Sequence, residues 1–411
     1  MRYTDCMLKT IIASWAVRFS VIVIVVIVGL FFVFQAFYKS TTVFSFNNDD
    51  AATVVTDEPV PTGPTLEERI AQAQERSQEV RGVYMTALVA SSVNGAGKTK
   101  RDRIVDLIAT TELNAVVIDV KEVAGSQLNE NLVSFVQSLK KQGIWTIARV
   151  PLMRDSSEVQ THSDWYLQRT DGRPWADALG HYWLDPAQPE VATYLSTFAK
   201  NVIDAGFDEI QTDYIRYPSD GNLRSIASTS LPENKFTVID TFSRDFVGAL
   251  KEYKPEIIVS TDLFGYIATL KKDNTIGQRL EDLGKHFDYI SLMLYPSHFY
   301  AGFSVPADAA RNLPALSYGY GVDPSFDVVA RPYQVIYRST LAAQDVVATS
   351  SGKALMRPFL QDFNLSFDRN RGIVYGSERV RAQIDGAQDA GASGWLLWNA
   401  SNNYTEQALQ Q

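Results

Sequence analysis

Glu209, Gln211 and Asp213 alternate in the run Glu209-Ile210-Gln211-Thr212-Asp213-Tyr214-Ile215-Arg216-Tyr217-Pro218. Read as a β-strand, this run turns those three to one face and Ile210, Thr212 and Tyr214 to the other. Asp262 stands near the end of a second apolar run, Ile257 to Phe264. Two carboxylates on neighbouring strand ends suit the cleavage of glycosidic bonds. One must be ionised and the other protonated, and mutual repulsion plus burial can split their pKa values that far. Acyl transfer has no basis: no Ser-His-Asp order and no G-x-S-x-G elbow is present.

A parallel barrel would position such acids. From Arg81 onward, strand-like runs at 82–90, 115–121, 145–152, 209–217, 257–264, 289–295, 354–359 and 394–398 alternate with amphipathic stretches at 100–112, 130–142, 187–205, 236–253, 276–285, 327–346 and 377–390. That alternation predicts βαβ units, and eight strands match an α/β fold of the (β/α)8 TIM-barrel type. The rival, an open doubly wound sheet, lacks a G-x-G-x-x-G after the first strand. Asn94-Gly95-Ala96-Gly97-Lys98-Thr99 resembles a P-loop without its first glycine and reads as a flexible loop.

Barrel chemistry sits at the C-terminal strand ends. Asp119, Arg149, Gln211, Tyr214, Arg216, Tyr295, Arg357, Trp398 and Asn399 are the candidates there for holding a sugar. Asp213, nearest the mouth, and Asp262 are the catalytic candidates, and Asp119 and Glu122 are weaker ones. Glu209, deeper in, is expected to join a buried polar network. Asp119 and Arg149 face each other across adjacent strands, either as a rim salt bridge or as ligand contacts. Trp183 and Tyr217 add aromatic faces, though a single aromatic is more often a core or rim residue than a sugar platform.

The formal net charge of −9 argues against a nucleic-acid partner. Cys6 is the sole cysteine, and the four histidines have no zinc-site spacing, so neither metal nor cofactor is expected, a carboxylate-bound calcium excepted. Residues 19–38 are almost wholly apolar and long enough to cross a bilayer as one helix. The run ends Phe-Gln-Ala-Phe-Tyr, which offers no A-x-A cleavage site. Arg2, Lys9 and Arg18 precede it and acids follow, which places residues 1–18 in the cytoplasm and the rest outside it. Residues 39–65, with Pro59, Pro61 and Pro64, read as a linker. Thr65-Leu66-Glu67-Glu68 then reads as a helix start at the head of a domain spanning 66–411.

Arg81-Gly82-Val83-Tyr84, Ala115 to Lys121, Gly206 to Gly221 and Gly394-Trp395-Leu396-Leu397-Trp398-Asn399-Ala400-Ser401-Asn402 together resemble a family of bacterial glycoside hydrolase domains built on the TIM barrel. The resemblance spans roughly residues 80–405 and implies a sugar-cleaving fold more firmly than any substrate. Gly206-Phe207-Asp208 is also distantly similar to the chitinase-type signature, whose row of acids ends in a glutamate. Here the row continues Tyr214-Ile215-Arg216, which departs from that chemistry and leaves Asp213 as the leading carboxylate. The expectation is a single-pass membrane protein whose barrel cuts an extracellular or envelope polysaccharide. Asp213 would be nucleophile or base and Asp262 the general acid. A non-catalytic glycan-binding or wall-organising barrel and a transglycosylase are the alternatives.

Overall fold

The computed structural model describes residues 63–270 and 275–411. The apolar segment 19–38 lies outside them. Among the described residues no helix is long and apolar enough to cross a membrane.

Eight strand positions close into one parallel sheet. They are β1 Val80–Met85, β2 Ala115–Asp119, β3 Trp145–Pro151, β4 Glu209–Asp213, β5 Ile258–Phe264, β6 Tyr289–Leu294, β7 in two pieces, Leu355–Met356 and Phe359–Gln361, and β8 Gly394–Trp398. Each pairs in parallel with its sequence neighbours, and β8 returns to β1 through Val80 opposite Gly394. The helices are α1 Leu66–Ser77, α2 Gly95–Thr110, α3 Glu130–Lys141, α4 Pro189–Asp204, α5 Lys235–Tyr253, α6 Leu280–Leu283, α7 Pro332–Thr349 and α8 Ser377–Asp389. This is the (β/α)8 barrel.

Alternation along each strand splits the core into two shells. Val116, Ile118, Ala148, Val150, Ile210, Val259 and Leu397 pack outward under the helices. Val80, Tyr84, Val117, Trp145, Ile147, Ile258, Tyr289, Phe359 and Leu396 fill the interior. Helix α1 covers the floor. A capping box starts it: Thr65 Oγ1 accepts from the Glu68 N–H at 3.2 Å, and Glu68 Oε2 accepts from the Thr65 N–H at 2.7 Å. Its far end bonds Ser77 Oγ to Tyr289 Oη at 2.8 Å and lays Arg76 over the Trp145 ring.

Three local expectations are corrected. The first strand stops at Met85, because Thr86 accepts from the Val89 N–H and begins a short helix, Ala87–Ala90. The glycine run at 94–99 is the first turn of α2 rather than a flexible loop. Gly97 serves packing there, since a Cβ at that position would lie 2.1 Å from Ser92 Oγ. Pro358 brings no N–H to the ladder, so β7 breaks into its two pieces.

The interior also holds a sealed ion pair. Arg357 Nη1 donates to Glu209 Oε1 and Oε2 at 3.1 and 2.9 Å, and both side chains are fully buried. Trp145 Nε1 and Ser260 Oγ donate to the same carboxylate, at 3.0 and 2.5 Å. The Arg357 guanidinium lies 3.8 Å above the Tyr289 ring. Losing one partner strands the other charge, so Arg357→Met is expected to cost about 3–5 kcal/mol. Adding Glu209→Gln should recover part of that loss. Urea denaturation reads both, and a single-variant cost under about 1 kcal/mol would show that no charge is stranded.

Candidate active site

Register alone brings the polar residues together at the mouth. Asp119 of β2 is paired with Arg149 of β3, and Arg149 with Gln211 of β4. Arg149 reaches three carboxylates from that position. Nη1 donates to Asp119 Oδ1 at 2.7 Å, Nη2 forms a short ion pair with Asp213 Oδ2, and Nε lies 3.7 Å from Asp262 Oδ2. The acids are 5%, 6% and 1% exposed, so one guanidinium faces three carboxyl groups that water hardly reaches. Burial opposes the charge on Arg149, but Asp213, Asp119, Tyr84 and Asp262 hold its pKa well above the ordinary value.

The three acids differ in their remaining contacts. Asp119 Oδ2 accepts a short hydrogen bond from the Tyr84 hydroxyl. Asp213 Oδ1 accepts from the Tyr214 N–H at 2.6 Å, where Tyr214 adopts a left-handed φ of 54°. Asp262 Oδ1 is buried and has no hydrogen-bond partner among the described residues. Burial, then repulsion from Asp213, pushes the Asp262 carboxyl well above the usual range, against the pull of Arg149. These surroundings favour the protonated form of Asp262.

Aromatic rings wall the same region. Tyr295 and Trp398 are stacked with centroids 5.6 Å apart, and Phe363 meets both edge-on, at 5.5 and 5.2 Å. Burial, then Asp262 and Asp213, raises the Tyr295 hydroxyl pKa well above normal, so it stays a neutral donor. Across the mouth, Arg154 Nη1 donates to the Tyr214 hydroxyl at 3.0 Å, while Arg154 Nε pairs with Asp177 at 3.0 Å. The stretch 152–188 after β3 is long and irregular, and buried Lys121 pins it through Asp155 at 2.7 Å. Among the described residues no cluster of acids, His and Cys suits a metal ion.

Several expected sugar contacts sit elsewhere. Arg357 is sealed below the mouth with Glu209, out of a substrate's reach. Gln211 is fully buried, and its Nε2 donates to Ser291 Oγ at 3.1 Å. Asn399 uses its amide on the carbonyls of Asp362 and Asn403, which fixes the turn after β8. Glu122 is exposed. Trp183 and Tyr217 are core, 2% and 1% exposed. Sequence reading missed Tyr84 and Phe363. Tyr84 was findable, because it shares inward parity with Val80 and Gly82 and stands next to Met85, the last residue of its strand.

Residues 124–404 match the family model described as a putative glycosyl hydrolase domain. No curated protein matches the chain. Among solved structures, a hypothetical protein from Ruminiclostridium thermocellum is 24% identical, with a TM-score of 0.37, over 44% of this chain and 96% of that one. An alpha-galactosidase from Thermus thermophilus is 15% identical, with a TM-score of 0.48, over 84% of this chain, which spans 64% of the enzyme's length. The glycoside hydrolase domain of PelA from Pseudomonas aeruginosa is 12% identical, with a TM-score of 0.41, over 79% of this chain and 96% of that one.

The Asp262 environment predicts a pH signature. A carboxyl with a raised folded pKa contributes stability that is complete below the unfolded value and is lost as pH rises through the folded one, about 1.4 kcal/mol per unit. Asp262→Asn removes that loss. Its gain in melting temperature over wild type should be larger at about pH 8 than at about pH 4. An equal gain at both would mean that Asp262 is not held protonated.

Proposed function

The chain belongs to the putative glycosyl hydrolase domain family, and on that premise we propose a membrane-anchored glycoside hydrolase that cuts an extracellular or envelope polysaccharide. One observation carries the reading: two carboxyl groups at adjacent strand ends have unlike surroundings, Asp213 ion-paired to Arg149 and Asp262 buried with an oxygen that has no hydrogen-bond partner among the described residues. Asp262 is the general acid. Its proton passes to the glycosidic oxygen as the bond from that oxygen to the anomeric carbon breaks, and water supplies the hydroxyl that the carbon gains. Asp213 acts on the carbon side, as nucleophile or as the base that takes the water's proton.

The other groups hold the sugar and the acids. Arg149 spreads one positive charge over Asp119, Asp213 and Asp262, and Asp119 is itself aligned by Tyr84. Tyr295 and Trp398 offer ring faces to a sugar, and Tyr214 and Arg216 line the opposite wall. A barrel that holds glycan without cutting it is favoured by one feature, since both Asp213 oxygens are already engaged, by Arg149 and by the Tyr214 N–H.

Asp213→Asn and Asp262→Asn, assayed separately for reducing ends released from envelope polysaccharides, should each lose roughly a hundredfold or more. A loss under about tenfold in both would remove the pair from the chemistry. Binding with no release of reducing ends by wild type would favour the holding barrel.

The apolar run 19–38 supports the anchor, and its flanking charges support an outside barrel. The full chain should stay with membranes through alkaline carbonate and leave them only in detergent. A chain starting at Thr65 should be soluble. Release of the full chain by carbonate alone would contradict the anchor.

A further inference from the structure

Arg216 lies three residues beyond Asp213, just past the end of β4, and its guanidinium is caught between three rings. It stands 4.9 Å from the Trp183 centroid, 5.1 Å from Tyr214 and 4.7 Å from Phe264. The side chain is 8% exposed. Among the described residues its hydrogen bonds leave from Nη1, to the Tyr217 carbonyl at 3.0 Å and Ser219 Oγ at 3.4 Å. Among the described residues it has no carboxylate within 4.0 Å, whereas Arg149, Arg154 and Arg357 each face at least one. Burial lowers its pKa, and Asp213, Tyr214 and Asp220 act against that from a distance.

A buried cation without a counter-ion is costly, and ring faces offset only part of the cost. Asp213 does not fill the vacant role, because its own oxygens are held by Arg149 and by the Tyr214 N–H. The position is also telling. Tyr214 directly follows Asp213, and Phe264 follows Asp262 by two residues, so the ring cage stands beside both acids. An anion brought by the substrate would complete the pair, and the planar fork of arginine suits carboxylate, sulfate or phosphate.

We propose that Arg216 is a specificity residue that receives the anionic group of an acidic sugar, so that the glycan in this mouth is a uronate-, sulfate- or phosphate-bearing polysaccharide. The proposal rests on the hydrolase reading for where the sugar lies. The rings of Tyr214, Tyr295 and Trp398 stack on the sugar, and Arg216 selects its charge.

Affinity electrophoresis of the full chain carrying Asp262→Asn tests this without turnover. The gels hold uronate-bearing, sulfated, phosphorylated or neutral polysaccharides, and the carboxyl-reduced form of each uronate polymer. At least one anionic class should be retained roughly tenfold or more tightly than its neutral counterpart. The three anionic gels tell the sources apart. Adding Arg216→Gln should bring that ratio to about one, and Arg216→Lys should keep part of it, which guards against a merely misfolded variant. The proposal is overturned if no anionic gel retains the chain, if neutral polymers are preferred, or if Arg216→Gln keeps the full ratio. Retention of acidic glycan through Arg216 by a wild type that releases no reducing ends would sink the hydrolase reading and keep this one. Cleavage of neutral glycan alone would do the reverse.

Discussion

One guanidinium facing three buried carboxylates is the constraint from which the rest of the mouth follows. Arg149 can offset one full negative charge, yet Asp119, Asp213 and Asp262 all lie against it. Three ionised acids in so little water would repel strongly. Asp119 and Asp213 take the close contacts, and each gains a further donor, from the Tyr84 hydroxyl and the Tyr214 N–H. Asp262 is left with the longest contact and an oxygen without a hydrogen-bond partner among the described residues, and burial and repulsion raise its pKa. Acids of the same type thus meet different environments through unequal shares of one cation.

The frame beneath makes that arrangement rigid. Strand register sets Asp119 opposite Arg149 and Pro151 opposite Asp213. One level lower, Gln211 and Ser291 are bonded across the interior, and below them Glu209 and Arg357 form the sealed pair. A polar barrel interior is unfavourable unless each charge is answered. Here the answers come from distant strands, so the same contacts that neutralise the interior also lock β4 to β7. Helix α1 closes the floor through Ser77 and Arg76, which leaves the mouth as the open end.

Much of the frame was legible in the sequence, for identifiable reasons. Strand β8 runs from Gly394 to Trp398 as expected, since a short apolar run after a glycine has few other readings. The alternation of Glu209, Gln211 and Asp213 gave their inward face, because period two is a property of the strand itself. The Thr65 cap followed from local hydrogen-bonding chemistry. What failed was what depends on side-chain contacts that no periodicity encodes. Arg357 looked like a mouth residue until its pairing with Glu209, 148 residues away, placed it in the sealed interior. The glycines of 94–99 looked mobile until Ser92 showed why Gly97 must lack a side chain. Phe363 becomes part of the site only through Tyr295 and Trp398.

The central claim is that the surroundings of Asp262 favour its protonated form. Isotope-edited infrared difference spectroscopy of the folded protein, wild type against Asp262→Asn, reads this directly. The Asp262 substitution should remove a protonated-carboxyl carbonyl band. Loss of carboxylate bands alone in the Asp262 difference spectrum would contradict it.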